Sequence, residues 1–167
     1  MKPVCVIVGP PGSGKTTVGE LVAQARGVPF RDTDGDIVAV AGKPIPEIFF
    51  DEGEDHFRAL ERTAVAEALA GFGGVLALGG GAVLAPATRE LLRGHTVVFL
   101  SVELADAAAR VGMQSGARPL LAINPRATLK HLLDQRRPLY EEVATVIVKT
   151  DGREPVGIAA EVTTALG

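Results

Sequence analysis

Five short apolar runs punctuate the chain: Val4–Val8, Val28–Arg31, Val75–Leu78, Thr96–Leu100 and Thr145–Val148. Each is apolar nearly throughout rather than alternating, the pattern of strands buried on both faces. Helical spacing fills the gaps between them. Val18, Leu21, Val22 and Ala25 share one face after the first run. Asp34-Gly35-Asp36 opens a short helix over Ile37–Ala41, which Gly42 closes. Lys43–Pro46 is a break, and Glu47–Phe50 makes one helical turn. A longer helix is predicted over Gly53–Ala70, with Phe57, Leu60, Ala64, Val65, Ala68 and Leu69 on one face. Pro86–Arg93 and Glu103–Val111 are shorter helices, and Gly112–Pro125 reads as a mobile loop. A helix over Arg126–Arg137 is expected to end near Pro138, and Pro155–Leu166 forms the last one. Strands alternating with helices predict an α/β domain whose parallel sheet is covered on both faces. Ligands of such sheets sit at the carboxyl ends of the strands.

The 167 residues fit one domain. Hydrophobic residues make up 47% and charged residues 22%, ordinary for a globular protein. Aromatics are only 4% and tryptophan is absent, so aliphatic side chains must fill the core. Cys5 is the single cysteine and lies in the first strand, which predicts a buried thiol and a cytoplasmic protein. Nothing in the first residues resembles a signal peptide, and no apolar run is long enough to span a bilayer. The net charge of −3 argues against nucleic acid as a partner. An anionic ligand would need cations gathered locally, and Arg58, Arg110, Arg118, Arg136 and Arg137 are the candidates.

The first strand runs directly into Gly9-Pro-Pro-Gly-Ser-Gly-Lys-Thr16, the phosphate-binding pattern G-x-x-x-x-G-K-[ST]. Gly9, Gly12 and Gly14 let the backbone turn its N–H groups onto a polyphosphate, and the following helix aims its positive end at the same place. Lys15 can reach the terminal phosphates and Thr16 can ligate Mg²⁺. The second strand ends at Asp32-Thr33-Asp34. Extended geometry would point both carboxylates at the phosphate site, one for Mg²⁺ through water and one for a substrate hydroxyl. An Asx turn that caps the next helix is the purely structural alternative. Gly79-Gly80-Gly81 after the third strand suggests close approach of a ligand to the backbone. No acidic residue ends that strand, which leaves the metal-side carboxylate to Asp32.

With these pieces in order, the chain resembles shikimate kinase from Val4 to Leu166. The resemblance is carried by Gly9–Thr16, Asp32-Thr33-Asp34, Ile48-Phe49 with Gly53-Glu54, Phe57-Arg58 and Glu61. It continues through Leu78–Val83, Arg118–Leu121, and Arg136 with Pro138-Leu139-Tyr140. It implies a single P-loop kinase domain with a five-stranded parallel sheet in order 2-3-1-4-5. A substrate-binding region would span about 32–61 and a lid about 112–125. The implied reaction is ATP-dependent phosphorylation of the 3-hydroxyl of shikimate, giving shikimate 3-phosphate and ADP on the route to chorismate and the aromatic amino acids. Position by position, Asp34 would bind ring hydroxyls and act as base, while Arg58 and Arg136 would hold the carboxylate. Gly79, Gly80 and Gly81 would lie against the ring. Gly12, Ser13, Gly14, Lys15, Thr16 and Thr17 would bind nucleotide, with Asp32 on metal-bound water. Arg118 would be the lid arginine, and Arg110 and Arg153 would contact the base. A monomer is implied.

The chemistry agrees, since paired guanidinium groups suit one carboxylate, while a carboxylate and glycine backbone suit hydroxyls. Arg137 adds a second cation beside Arg136, and either could take the carboxylate role. Two other classes compete. A gluconate or nucleoside monophosphate kinase would share the P-loop; a monophosphate acceptor would also need several arginines and a second base pocket. A regulatory homologue without catalysis would be expected to have lost Lys15, Asp34 or Arg118, and all three are present.

Overall fold

A computed structural model describes residues 1–103 and 125–167, apart from the side chains of residues 125, 126 and 129. The helix expected over Glu103–Val111, the Gly112–Pro125 loop up to residue 124, and the arginines at 110 and 118 lie outside the described residues. Elements are numbered among the described residues. They run β1 (Cys5–Val8), α1 (Lys15–Arg26), β2 (Phe30–Asp32), α2 (Thr33–Ala41), α3 (Ile45–Glu52) and α4 (Glu54–Gly71). Then come β3 (Val75–Ala77), a 3₁₀ turn (Ala82–Leu84), α5 (Pro86–Leu91), β4 (Val97–Ser101), α6 (Pro125–Val143), β5 (Val146–Lys149) and α7 (Pro155–Leu166).

The strands form one parallel sheet in the order β2-β3-β1-β4-β5. Its register sets Val6 beside Leu76 and Val97, which fixes where each strand ends relative to the P-loop. Alternation along β1 divides the core. Val6 and Val8 join Val65, Leu69, Phe99 and Tyr140 on one face. Cys5 and Ile7 join Val18, Val22, Ile158 and Val162 on the other. Burial pushes the Cys5 thiol up to about 11, so it stays protonated and inert. A third small core of Ile37, Ile48, Phe57 and Ala64 holds α2, α3 and α4 together beyond the end of β2. Phe49 and Phe57 stack within it, ring centroids 4.8 Å apart. Among the described residues no helix is long and apolar enough to cross a membrane.

Two local readings need correction. The helix expected to stop near Pro138 runs on to Val143. An internal proline costs a helix about 3 kcal/mol or more. Against that, Tyr140 is fully buried, and Leu139 and Val143 pack on the same core. Full burial of a large side chain contributes about 1.5–3 kcal/mol, and with the partial burial of Leu139 and Val143 the sum is enough to carry the helix through. The second correction concerns Asp32-Thr33-Asp34. Asp32 is extended, but Thr33 already begins α2, so the two carboxylates do not share an extended strand. The Asp32 side chain accepts the Asp34 N–H at 2.9 Å, and this cap starts the helix at Thr33.

Candidate active site

The loop between β1 and α1 is wound as its glycines require. Gly12 and Gly14 have φ of 82° and 86°, a left-handed conformation that a side chain would strain. Gly14 ends the loop as the N-cap of α1, so the first free N–H groups of that helix open onto the loop. Lys15 Nζ donates to the Gly9 carbonyl at 2.8 Å and the Pro10 carbonyl at 3.2 Å. The ammonium is thus held over the loop rather than in the core. Thr16 Oγ1 donates to Asp32 Oδ2 at 3.0 Å. One Asp32 oxygen therefore caps α2 while the other accepts from Thr16 of the P-loop, so the cap does not take Asp32 away from the loop. Thr17 is exposed, whereas Ser13 is buried with its Oγ lacking a hydrogen-bond partner among the described residues.

Across from the loop, each glycine of the 79–81 run makes room for a different neighbour. A Cβ on Gly79 would lie 2.7 Å from Asp34 Oδ1 and 2.9 Å from Glu61 Oε2. One on Gly80 would meet Pro11 Cδ of the P-loop at 3.2 Å. One on Gly81 would meet the Arg58 guanidinium, 2.6 Å from Nη2. The run is a seam where carboxylates, P-loop and guanidinium all approach bare backbone. Thr33 Oγ1 accepts the Gly79 N–H at 3.3 Å and ties the seam to the start of α2.

Helix α4 brings Arg58 to this seam, and Glu61 fixes it. Arg58 Nη1 donates to Glu61 Oε1 at 2.8 Å, and its Nε lies 3.4 Å from Glu54. Glu61 is buried, and burial raises its pKa; Arg58 and Arg136 pull it back down, and Asp34 adds to the rise. Those influences place Asp34, Arg58, Glu61 and Arg136 within one electrostatic cluster. Arg136 is 4% exposed, and its Nε has no hydrogen-bond partner among the described residues. A buried guanidinium with an unused donor suits a carboxylate that is supplied from outside. Arg137 points elsewhere: it donates to Ser101 Oγ and the Val102 carbonyl, both at 3.3 Å. Of the two arginines, Arg136 is therefore the one that faces the Glu61 cluster. Two clefts are lined by members of the cluster. Asp34 lines one of about 510 Å³, while Arg58, Glu61 and Gly81 line another of about 460 Å³.

Arg153 stands apart. It donates to the Lys149 and Gly157 carbonyls and pairs with Glu161 at 2.8 Å, all in the corner between β5 and α7. Glu61 is the functional residue that sequence reasoning leaves without a role. The signal was its register. Phe57, Glu61, Ala64, Val65 and Ala68 fall on one face of α4, so a carboxylate stands in an apolar stripe three residues after an arginine.

Known proteins resemble this chain in both sequence and fold. A family model described as shikimate kinase covers residues 11–167. A shikimate kinase from Salinispora arenicola is 70% identical over 166 residues, 99% of each chain. The chain belongs to the shikimate kinase family. The activity that goes with membership is ATP-dependent phosphorylation of shikimate. A solved shikimate kinase from Acinetobacter baumannii, in complex with shikimate, superposes with a TM-score of 0.94 at 36% identity. That alignment covers 99% of this chain and 93% of the other. A gluconokinase from Sinorhizobium meliloti reaches only 0.62 at 26% identity over 97% of this chain and 90% of the other. The rival kinase class therefore shares the architecture with a poorer fit.

Proposed function

We propose that this chain binds shikimate against the glycine seam and phosphorylates its 3-hydroxyl there, with residues 1–167 acting as one kinase domain. Asp34 accepts the hydroxyl proton as the oxygen attacks the γ-phosphorus of ATP. The bond from that phosphorus to the β-bridging oxygen breaks, and ADP leaves. Lys15 and the Gly12–Thr17 backbone stabilise charge on the phosphates. Thr16 and Asp32 would hold Mg²⁺, Asp32 through water, and the ion when bound would neutralise phosphate charge. Their 3.0 Å contact supports that pairing, since Mg²⁺ commonly takes one or two protein oxygens and completes its shell with phosphates and water. Arg118 as lid arginine, the lid over about 112–125, and base contacts from Arg110 and Arg153 rest on family resemblance. The substrate-binding region over about 32–61 matches the separate small core beneath α2, α3 and α4. A monomer rests on family resemblance. The single buried thiol of Cys5 and the use of ATP favour the cytoplasm.

The observation that carries this reading is the position of Gly80, packed on Pro11 of the P-loop while its neighbours meet Asp34 and Arg58. An acceptor lying on that backbone would be adjacent to the terminal phosphate. Arg58 and Arg136 then grip the acceptor carboxylate from two helices. Arg136→Met should raise the shikimate KM about tenfold or more with little change in the ATP KM, because a charge-assisted hydrogen bond contributes about 1.5–3 kcal/mol. The decisive acceptor is one whose carboxylate is replaced by a neutral hydroxymethyl group. The unaltered enzyme should discriminate strongly against it, and Arg136→Met much less. Equal use of both acceptors by the unaltered enzyme would refute the clamp.

A further inference from the structure

Tyr140 is the only tyrosine in the chain and is 1% exposed. Its ring lies in the core against Phe99, centroids 5.0 Å apart. Its hydroxyl crosses to the seam and donates to the Gly80 carbonyl at 2.5 Å. Burial pushes the phenol up to about 12, so it remains a donor at any working pH. The Arg136 guanidinium acts electrostatically on the same hydroxyl, in the opposite direction to burial. Arg136 and Tyr140 are one helical turn apart on α6, which brings them side by side. Gly80 is therefore held from both sides, its carbonyl by Tyr140 and its Cα by Pro11.

We infer that Tyr140 is a positioning residue for shikimate, its hydroxyl locking the Gly80 backbone and the Arg136 guanidinium into one geometry. This rests on the clamp reading of Arg136 above. A core phenylalanine would fill the same volume, so what the hydroxyl adds is orientation. It fixes how far the carboxylate grip stands from the backbone on which the ring lies. A ligand bound at both points then meets a preorganised pair rather than two independent groups.

Tyr140→Phe removes one oxygen and nothing else. It should raise the shikimate KM about fivefold or more, leave the ATP KM unchanged, and weaken discrimination against the hydroxymethyl acceptor. Phe99→Leu is the control for core damage, expected to lower Tm with no change in the shikimate KM. A normal shikimate KM in Tyr140→Phe overturns the inference, and so does an equal KM rise in Phe99→Leu. Combined with Arg136→Met, Tyr140→Phe should add little further loss; full additivity also overturns it. If Arg136→Met alone leaves carboxylate discrimination intact, the clamp fails and this inference falls with it. If Arg136→Met abolishes discrimination while Tyr140→Phe keeps it, only the inference fails. Should Tyr140→Phe not fold, the unaltered chain still decides. With one tyrosine, 3-fluorotyrosine labelling gives a single ¹⁹F resonance, at Tyr140. Saturating shikimate should shift it, and a resonance that stays in place overturns the proposal.

Discussion

At Gly81 the space for a side chain is already filled by Arg58. An ideal Cβ there lies 2.6 Å from Nη2 and 2.7 Å from Cζ. Comfortable contacts begin near ~3.5 Å, so Gly81→Ala must drive the guanidinium back by roughly 1 Å. The backbone itself accepts alanine, since φ is −98° and ψ is 4°. What moves is the far end of a flexible side chain, so destabilisation should stay near about 1 kcal/mol, the low end for overpacking. For a domain of this size that is a Tm shift of roughly 2–4 °C. Function should suffer more. The displaced guanidinium leaves its 2.8 Å contact with Glu61 and, on the proposed clamp, its grip on the substrate carboxylate. Losing one charge-assisted contact of about 1.5–3 kcal/mol corresponds to roughly 10–150-fold in affinity. The assay is initial-rate kinetics with each substrate varied in turn, beside a thermal melt. The shikimate KM should rise at least tenfold, the ATP KM should hold, and Tm should barely move. A shikimate KM within twofold of the unaltered enzyme would show that Arg58 does not hold the carboxylate from this position. A collapse in Tm would show that the seam is a packing device first.

Two more outcomes follow from the same geometry. Lys15→Ala should abolish ADP release with shikimate while circular dichroism and Tm stay near normal, because its ammonium bonds loop carbonyls rather than the core. Glu61 has a raised pKa in the fold, chiefly through burial, so the folded state favours its protonated form. Its contribution to stability is full below the unfolded glutamate value of about 4.3 and is lost as pH rises through the folded value. Tm of Glu61→Gln minus that of the unaltered protein should therefore move in favour of glutamine as pH rises from about 4 to 8; movement the other way refutes the assignment.

The parallel sheet and the P-loop were legible because both depend on short-range patterns, whereas the strand order came from the family resemblance. Five apolar runs alternating with helical periods leave few parallel arrangements, and G-x-x-x-x-G-K-[ST] carries its own geometry. Gly79-Gly80-Gly81 was legible as a place where something approaches the backbone. What approaches was not, because the three neighbours come from α2, the P-loop and α4, which are joined only by the folded topology. The pair Asp32 and Asp34 shows the reverse. Its capping and metal-side readings were posed as alternatives, yet a carboxylate has two oxygens, and Asp32 uses one for the cap and leaves the other on Thr16 of the P-loop.

The ambiguity between Arg136 and Arg137 and the misplaced end of α6 have one cause. A helix turns about 100° per residue, so neighbouring arginines face different ways, and only a phase marker says which faces inward. That marker is Tyr140, one turn beyond Arg136 and fully buried. A helix stopped at Pro138 excludes Tyr140, and with it the evidence for phase. Once burial of Leu139, Tyr140 and Val143 is allowed to outweigh the proline, the rest follows. Position 136 turns toward Glu61 and the glycine seam, while position 137 turns toward Ser101 and Val102 at the end of β4. The proline is thus compatible with the site because the residues just after it are anchored in the core, and those same residues set which arginine faces the Glu61 cluster.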